Sequence, residues 1–412
     1  MRKNFLFSLA PVFIFFIVLL MPKEGLAIPS FARQMNTSCF TCHYQHIPKL
    51  NAFGREFKLN GYTDVSGELI EDDNLSIPLL SRVSFVLKAK YAKTKSTSSG
   101  AVDSGSDRGE WQVPDEAALW LAGRAANNVG FAIEFPGGWA SGKVVFTAPV
   151  GNTQVGLSIY STDALGPAYG MELFNTGILR SIRSLENRKG AIIAQKTGVG
   201  AGKATGFTAY VGHEMFFAGL GLWAPSFKSN DGPTDTGSDM SVWYRLAFTP
   251  SLGGMDLMVG VFGTTGETKC VDCMGADANG LVQTKKTDSL GVDMQLQADI
   301  GGMSLEVQAM YVSAGDDAPS AANTTNLYKK ADGFSAITEL GINDTYGLSL
   351  AYRNYTDKSG SADLDETATT IGGWINIAEN LHVQPQYTMF GKDKDKVGGK
   401  DSKFTLMLLA GF

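Results

Sequence analysis

The sequence predicts an all-β protein, a transmembrane outer-membrane β-barrel of about 16 antiparallel strands with a small α-helical domain at its N-terminal end. Three observations lead to this prediction. The chain opens on an apolar export segment, most of its length alternates between apolar and polar residues, and its last strand ends on an aromatic residue. Together they divide the chain into residues 1–27, 28–80 and 81–412.

Residues 1–27 are predicted to be a signal peptide that is removed on export. Arg2 and Lys3 supply its positive charge, and Phe5 to Met21 is an almost unbroken apolar run. Gly25-Leu26-Ala27 provides the small residues that a signal peptidase reads, so cleavage is expected after this tripeptide. A membrane-anchoring helix is the alternative, but it needs about 20 apolar residues and this run is shorter.

Residues 81–412 contain a succession of segments in which apolar and polar residues alternate. Such alternation means that one face of each strand meets an apolar medium and the other face does not. The segments RVSFVLKAKY, SLEVQAMYV and TYGLSLAYRNY follow this pattern. The closing segment KFTLMLLAGF also follows it and is typical of the last strand of a bacterial outer-membrane barrel, with one face made of Phe404, Leu406, Leu408, Ala410 and Phe412.

The connections between these segments alternate in length. Short turns are predicted near residues 127–128, 150–152, 250–254, 301–302, 343–344 and 379–380, and long polar loops over 93–114, 224–239, 264–287, 314–332, 356–366 and 392–402. Short periplasmic turns and long outer loops are the layout of an outer-membrane barrel. The count of about 16 strands takes Ala204 to Trp223 as one long strand and Ala164 to Lys189 as mostly loop. A soluble β-sandwich or β-solenoid is the alternative, and it leaves both ends of the chain unexplained.

Composition agrees with a barrel in contact with outer-membrane lipid and argues against nucleic acid as a partner. The chain has 48 glycines, only 18% charged residues and a formal net charge of −6, which repels a polyanion. Tryptophans near predicted strand ends are candidates for an interfacial girdle, namely Trp120, Trp223, Trp243 and Trp374.

Cys39-Phe40-Thr41-Cys42-His43 matches the C-x-x-C-H pattern of covalent haem attachment. Two thiols at this spacing can add to the two vinyl groups of one haem c, and the adjacent histidine is then held beneath the iron as an axial ligand. The alternatives are a zinc site, which needs further ligands nearby, and a thioredoxin-like redox pair, which needs a βαβ setting. In an exported chain the pattern therefore favours Cys39 and Cys42 as attachment sites and His43 as the iron ligand.

The residues that follow predict a short helix beside this site. Pro48 suits its first turn, Asn60-Gly61 suits its end, and Leu50, Phe53 and Phe57 recur on one face that can pack on a porphyrin or on the barrel wall. The charged residues Arg33, Arg55 and Lys58 are candidates for pairing with haem propionates, or are solvent-exposed charges.

The sixth iron ligand is left open by the sequence. His46 follows His43 too closely to reach the opposite side of the iron easily, and Met35 or a barrel residue such as His213 is an alternative.

The segment from Ile28 to Tyr62 resembles the N-terminal domain of the fused monohaem c-type cytochrome–porins of iron-oxidising bacteria. The matching stretches are IPSFARQ, CFTCH and IPKLNAFGREFKLNGY, of which FARQ and FGREFK are the most specific; the matching residues are Pro29, Phe31, Ala32, Arg33, Gln34, Cys39, Cys42, His43, Pro48, Leu50, Phe53, Gly54, Arg55, Phe57, Lys58, Gly61 and Tyr62. Beyond this segment, only architecture and length support the resemblance.

The resemblance implies an outer-membrane iron oxidase in which residues 28–80, a monohaem cytochrome c domain, plug the lumen of the barrel. It implies Fe(II), or a small iron chelate, as the electron donor outside and a periplasmic c-type cytochrome as the acceptor inside. The expected activity is that of an Fe(II):cytochrome c oxidoreductase. Two alternatives remain: a cytochrome–porin that moves electrons to or from a different redox partner, and a diffusion porin with a haem plug.

Cys270-Val271-Asp272-Cys273 lacks a following histidine and is therefore not a second haem site. A short-loop disulfide between Cys270 and Cys273 is the first interpretation, because export passes through an oxidising compartment. A metal or redox contact is the alternative. Acidic residues in the predicted long loops can attract Fe²⁺ weakly or keep the surface soluble, and they include Asp231, Asp235, Asp316, Asp317, Asp363 and Asp365.

Overall fold

The structure is a computed structural model that describes nine stretches of the chain, residues 30–65, 79–95, 109–173, 178–179, 192–227, 239–269, 284–316, 324–392 and 401–412. The predicted signal peptide, residues 1–27, lies outside the described residues. So does the predicted disulfide between Cys270 and Cys273.

The described strands form one large antiparallel sheet that closes on itself. The strands are β1 (Val83–Lys95), β2 (Gly109–Ala126), β3 (Val129–Phe135), β4 (Ser141–Val150), β5 (Thr153–Thr162), β6 (Ala204–His213), β7 (Phe216–Ala224), β8 (Ser241–Phe248), β9 (Ser251–Leu252), β10 (Met255–Thr265), β13 (Ser289–Ile300), β14 (Met303–Ala314), β16 (Ala331–Gly341), β17 (Tyr346–Asp357), β18 (Leu364–Ala378), β19 (Leu381–Gly391) and β20 (Ser402–Gly411). Strand β1 pairs with both β2 and β20, which closes the barrel. Strands β8 and β9 pair with the same edge of β10 and together count as one strand of the wall. The barrel wall therefore has sixteen strands.

Three shorter strands form a separate small sheet, β11 (Glu267–Lys269), β12 (Thr284–Lys286) and β15 (Thr324–Asn326). The helices are equally short: α1 (Ser30–Met35), α2 (Ala52–Leu59), α3 (Leu79–Arg82) and α4 (Ile193–Thr197), with 3₁₀ turns at Cys39–Thr41 and Pro167–Tyr169. Within the described stretches, no helix is long and apolar enough to cross a membrane.

The two faces of the barrel wall differ in polarity. Along β17, Leu348 is 61% exposed and Leu350 is 54% exposed, whereas the intervening Ser349 and Ala351 are buried. Buried side chains that point into the lumen are often charged or amide-bearing; on the wall they include Arg245, Asp293, Gln295, Gln308, Arg353, Gln384 and Gln386. An apolar exterior around a polar interior is the pattern of a transmembrane β-barrel, as the alternating sequence predicts.

All six predicted short turns join neighbouring strands of the barrel. The expectation of one long strand from Ala204 to Trp223 is wrong, because β6 and β7 form a hairpin that turns at His213 to Phe216. The tryptophans considered for an interfacial girdle face inward instead. Trp223, Trp243 and Trp374 are at most 1% exposed, and Trp120 lines a cavity inside the barrel.

Two chain segments contact lumen-facing side chains of the wall. The inward connection, residues 163–173, 178–179 and 192–203, is largely buried, and its helix α4 packs on β14, β16 and β17. Ile193 N donates to the lumen-facing Ser335 Oγ at 3.1 Å, and Lys196 Nζ reaches Glu366 at 2.9 Å. The N-terminal segment, residues 30–65, occupies the opposite end.

The N-terminal segment lies at the end of the barrel that carries the short turns. Tyr44 OH donates to the carbonyl oxygen of Ala298 at 2.8 Å, and Gln45 Nε2 donates to that of Ser304 at 3.0 Å. The two acceptors, Ala298 and Ser304, flank the short turn between β13 and β14. Because short turns are periplasmic in outer-membrane barrels, the segment sits at the periplasmic mouth.

Candidate functional site

The C-x-x-C-H residues form a compact turn fixed to the barrel wall. Ser38 Oγ caps the 3₁₀ turn by accepting from Phe40 N at 3.2 Å, and Cys42 N and His43 N both donate to the carbonyl oxygen of Cys39. Glu379, in the turn between β18 and β19, accepts from Ser38 Oγ at 2.7 Å and from Cys39 N at 3.1 Å. The turn thus has a defined position relative to the strands.

Helix α2 packs directly against this turn. Asn51 is its N-cap, accepting from Gly54 N at 2.9 Å, and its amide also donates to the carbonyl oxygen of Thr41 at 2.9 Å. A Cβ on Gly54 would lie 2.2 Å from the carbonyl oxygen of Cys42, so only glycine permits this approach. Gly61, with φ of +65°, follows the C-cap and ends the helix as expected from the sequence.

The predicted helix start at Pro48 is wrong. Helix α2 begins at Ala52, because Asn51 provides the side-chain oxygen that caps the first turn and proline cannot. Leu50 therefore precedes the helix, and it reaches the site through a bend in which His43 and Leu50 form an isolated antiparallel bridge.

His43 has one ring nitrogen committed to the backbone. Its Nδ1 lies 3.0 Å from the carbonyl oxygen of Lys49, which can only accept, so Nδ1 carries the proton and Nε2 keeps its lone pair. Burial, partly opposed by backbone hydrogen bonds, lowers the pKa of His43 to about 4. The imidazole is therefore neutral near pH 7 and able to bind a metal through Nε2.

Cys39, Cys42 and His43 line one largely apolar cavity of 310 Å³, within the range of roughly 300–1,000 Å³ that small-molecule and cofactor sites occupy. Leu50 and Phe57 also line it. Phe53, the third residue of the predicted apolar face, does not line the cavity and is 43% exposed. The barrel wall and the inward connection complete the lining, with Trp120, Ala132, Lys143, Leu165, Tyr169 and Leu179.

The two cysteines are free thiols in this cavity. Burial, reinforced by the charge of Glu379, raises the pKa of Cys39 to about 11, and burial raises that of Cys42 as well. Redox-active and metal-binding cysteines have lowered pKa values instead. The environment therefore disfavours a thioredoxin-like pair.

Two buried lysines border the cavity. Lys58 Nζ donates to the carbonyl oxygen of Glu172, and Lys143 Nζ donates to that of Tyr169 at 3.0 Å. Among the described residues, neither ammonium lies within ion-pair distance of a carboxylate. Burial, followed by repulsion from Lys143, lowers the pKa of Lys58 to about 8. The carboxylate of Glu172 attracts both ammonium groups from a longer distance, and a ligand that carries carboxylates would add closer counter-anions.

Polar atoms on the cavity lining that make no hydrogen bond also favour a ligand with polar groups. Trp120 Nε1 and Tyr169 OH are buried and make no hydrogen bond in the described part of the chain. Haem combines an apolar ring with two propionates, and the donors around this cavity fit such a ligand.

The other predicted site residues lie elsewhere. Arg33 donates to the carbonyl oxygen of Val83, and Arg55 Nη1 lies 3.4 Å from Gln295 Oε1, so both serve contacts with the barrel. His46 is buried beside Glu339, and His213 stacks on Phe216 at a hairpin turn. No methionine, and no histidine besides His43, lines the cavity in the described part of the chain, and the sixth ligand stays open.

Sequence reasoning missed the contribution of the barrel wall to the cavity. Lys143 lies in SGKVVFTAPV at an inward position of β4. The alternation of residues along this strand was the signal in the sequence that Lys143 faces the lumen. The pattern gives the face of the strand, but it does not give the height at which the residue meets the N-terminal segment.

Structural comparison finds bacterial outer-membrane proteins, among them a porin. An anion-selective porin from Comamonas acidovorans aligns over 80% of this chain and 98% of its own, with 12% identity and a TM-score of 0.46. Salmonella typhi OmpF, in complex with daunomycin, aligns over 80% and 97% with 11% identity and the same TM-score. A loop-deletion mutant of Vibrio cholerae OmpT aligns over 80% and 98%, with 11% identity and a TM-score of 0.46. No family model and no curated protein matches the chain.

The chain is a closed outer-membrane β-barrel of sixteen strands. Its sheet leaves no edge, its outward side chains are apolar, and its backbone polar groups are paired between strands, which are the requirements for a sheet that spans a membrane. The location in an outer membrane follows from this architecture, as predicted from both ends of the sequence.

Proposed function

We propose that the protein is an outer-membrane electron conduit that holds one covalent haem c between its N-terminal segment and its barrel wall. The observation that carries this proposal is the convergence of two free thiols and a histidine with its Nε2 lone pair available on one cavity. When bound there, haem supplies a one-electron redox centre. The resemblance of residues 28–62 to the cytochrome–porins of iron-oxidising bacteria supports the same assignment.

Each group of residues around the cavity has a distinct task in this proposal. Cys39 and Cys42 would hold the ring through thioether bonds, and His43 would bind the iron through Nε2. Lys58 and Lys143 would hold the propionates and thereby gain close anionic partners. Leu50 and Phe57 exclude water from the ring, which strengthens electrostatic interactions at the site.

We propose Fe(II), or a small chelate of it, as the donor on the outer side, where the long loops are predicted. Each Fe²⁺ loses one electron and becomes Fe³⁺, and a soluble periplasmic c-type cytochrome gains that electron at the short-turn mouth. Because the membrane core is about 30 Å thick, one redox centre conducts only if the barrel shortens the distance to donor and acceptor. No acid, base or nucleophile is needed for outer-sphere transfer.

The test is stopped-flow absorbance of the purified, oxidised protein mixed with Fe²⁺ in detergent. We expect a reduced c-type spectrum to appear in the wild type and to be lost in His43→Ala. His213→Ala is the matched control, because that histidine lies at a hairpin turn away from the cavity. If dithionite reduces the protein and Fe²⁺ does not, the iron-oxidase assignment fails and another redox partner replaces Fe²⁺.

A diffusion porin with a haem plug is the second candidate. The sixteen-stranded wall favours it, because barrels of 16–18 strands ordinarily leave an aqueous channel. High ion conductance of the intact protein in planar bilayers would support it. The filling of the lumen by the N-terminal segment and the inward connection favours the electron conduit instead.

A further inference from the structure

Lys49 links the barrel wall to the candidate haem ligand through its two ends. Its ammonium is fully buried, donates to Glu339 Oε2 at 2.6 Å and to Gln45 Oε1 at 2.6 Å, and forms an ion pair with Glu306. Its backbone carbonyl oxygen accepts from His43 Nδ1 at 3.0 Å and from Tyr44 N at 3.0 Å. One residue thus joins the orientation of the imidazole to two carboxylates of the wall.

The two carboxylates form a site built for a cation. Glu306 on β14 and Glu339 on β16 stand directly opposite each other across the strand pair, and both point into the lumen. Like charges in such positions repel, and burial makes the repulsion costlier. The ammonium of Lys49 lies within ion-pair distance of both carboxylates and removes this cost.

Neutral donors hold the carboxylates in place. Glu306 Oε1 accepts from Gln295 Nε2 at 2.7 Å and from Gln308 Nε2 at 2.6 Å, and Glu339 Oε1 accepts from Ser349 Oγ at 2.7 Å. The oxygens that face Lys49 are the opposite ones, Glu306 Oε2 and Glu339 Oε2. The wall therefore presents both carboxylates to the lysine in fixed orientations.

We propose that Glu306 and Glu339 are positioning residues for His43, acting through Lys49 to fix the carbonyl oxygen that orients the imidazole. This inference rests on the proposed function, because the imidazole matters only if it binds haem iron. A hydrogen bond from Nδ1 to a fixed acceptor selects the tautomer and raises the basicity of the ligand. The barrel then contributes to the reduction potential of a centre whose ligand belongs to the N-terminal segment.

The experiment compares Glu306→Gln, Glu339→Gln and the double variant with Glu366→Gln in full-length, haem-loaded protein. Glu366 is the matched control, since it is a lumen-wall carboxylate that pairs with Lys196 of the inward connection and not with the N-terminal segment. The readouts are the midpoint potential, the iron–histidine vibration in resonance Raman spectra, and protease cleavage within residues 30–65.

We expect the double variant to shift the midpoint potential to more positive values, because a weaker donor ligand destabilises the oxidised iron. Its iron–histidine band should move to lower frequency and broaden. Lys49→Arg should keep both signatures near those of the wild type, whereas Lys49→Met should reproduce the double variant. Glu366→Gln should change neither.

An unchanged potential and an unchanged iron–histidine band in the double variant would overturn the positioning role. Increased protease cleavage with both signatures unchanged would overturn it too, because the cluster would then only anchor the segment. Failure of Fe²⁺ to reduce the wild type is a separate outcome that removes the iron donor and leaves these comparisons intact. A wild type without covalent haem would overturn both proposals.

Discussion

At Gly54 the backbone of α2 approaches the carbonyl of Cys42 so closely that an added Cβ would lie 2.2 Å from the oxygen. We expect Gly54→Ala to push the helix away from the C-x-x-C-H turn, at a cost of about 1–3 kcal/mol typical of overpacking. The fraction of chains carrying covalent haem should fall, as measured by absorbance per protein. Gly138→Ala is the control, because nothing lies within 4 Å of its added Cβ. Equal haem content in the two variants would contradict the packing argument.

The ammonium of Lys143 borders the cavity from the wall and has a carbonyl oxygen as its acceptor. We expect Lys143→Met to lower the midpoint potential of bound haem, because removal of a nearby positive charge stabilises the oxidised state. A shift of the order of 59 mV, a tenfold change for a one-electron couple, is the expected scale. Lys203→Met, at an exposed position before β6, should leave the potential unchanged. A positive shift in the Lys143 variant would argue against propionate binding there.

Single residues also differ in how far the sequence predicts their place in the candidate site. Cys39, Cys42 and His43 can be proposed as a site from the sequence because adjacent positions in the chain define the motif. The roles proposed for Lys143, Glu306 and Glu339 cannot, because they depend on which wall residues face the N-terminal segment. Strand register and the height of that segment in the lumen decide this, and a single sequence encodes neither locally.

Among the elements, α2 gives a pH-dependent contribution to the docking of the N-terminal segment. The pKa of Lys58 is lowered to about 8 by burial, from 10.5 in an exposed chain. Between these values the undocked segment binds more protons than the docked one, so docking becomes more stable as the pH rises through this window. Below about pH 8 both states are charged and the full burial penalty remains.

Haem-free protein, made as Cys39→Ser/Cys42→Ser, is the material for testing this dependence. We expect protease cleavage within residues 30–65 to slow between about pH 8 and pH 10.5, and Lys58→Met to weaken this trend. Cleavage that accelerates over this window in the Lys58 parent would contradict the assigned sign.

Strand and turn prediction succeeded where glycine, asparagine and aspartate marked the turns, as at Gly301-Gly302 and Asn343-Asp344. It failed at the hairpin of β6 and β7, since His213-Glu214-Met215 contains none of these residues. The inward tryptophans show a second reason for failure, because a large aromatic residue suits both a lipid interface and a filled lumen.

For the whole molecule, the lumen is occupied from both ends. The N-terminal segment contacts the wall near the short turns, and the inward connection packs against β14, β16 and β17. Deletion of residues 28–80 should therefore raise the single-channel conductance several-fold in planar bilayers, since a sixteen-stranded barrel otherwise leaves an aqueous channel. Equal conductance of the intact and truncated proteins would mean that the inward connection alone closes the lumen.

Closure of the barrel joins the two ends of the sheet, with Phe85 N donating to Phe412 O at 2.9 Å and Phe412 N donating to Phe85 O at 2.8 Å. The wall is therefore incomplete until β20 has paired with β1. Cys39 is 5% exposed once the sheet has closed around it. A cofactor bound through this thiol is best attached while the chain is still in transit through the periplasm. The timing of cofactor attachment relative to barrel closure would then decide which molecules carry the cofactor and which fold without it.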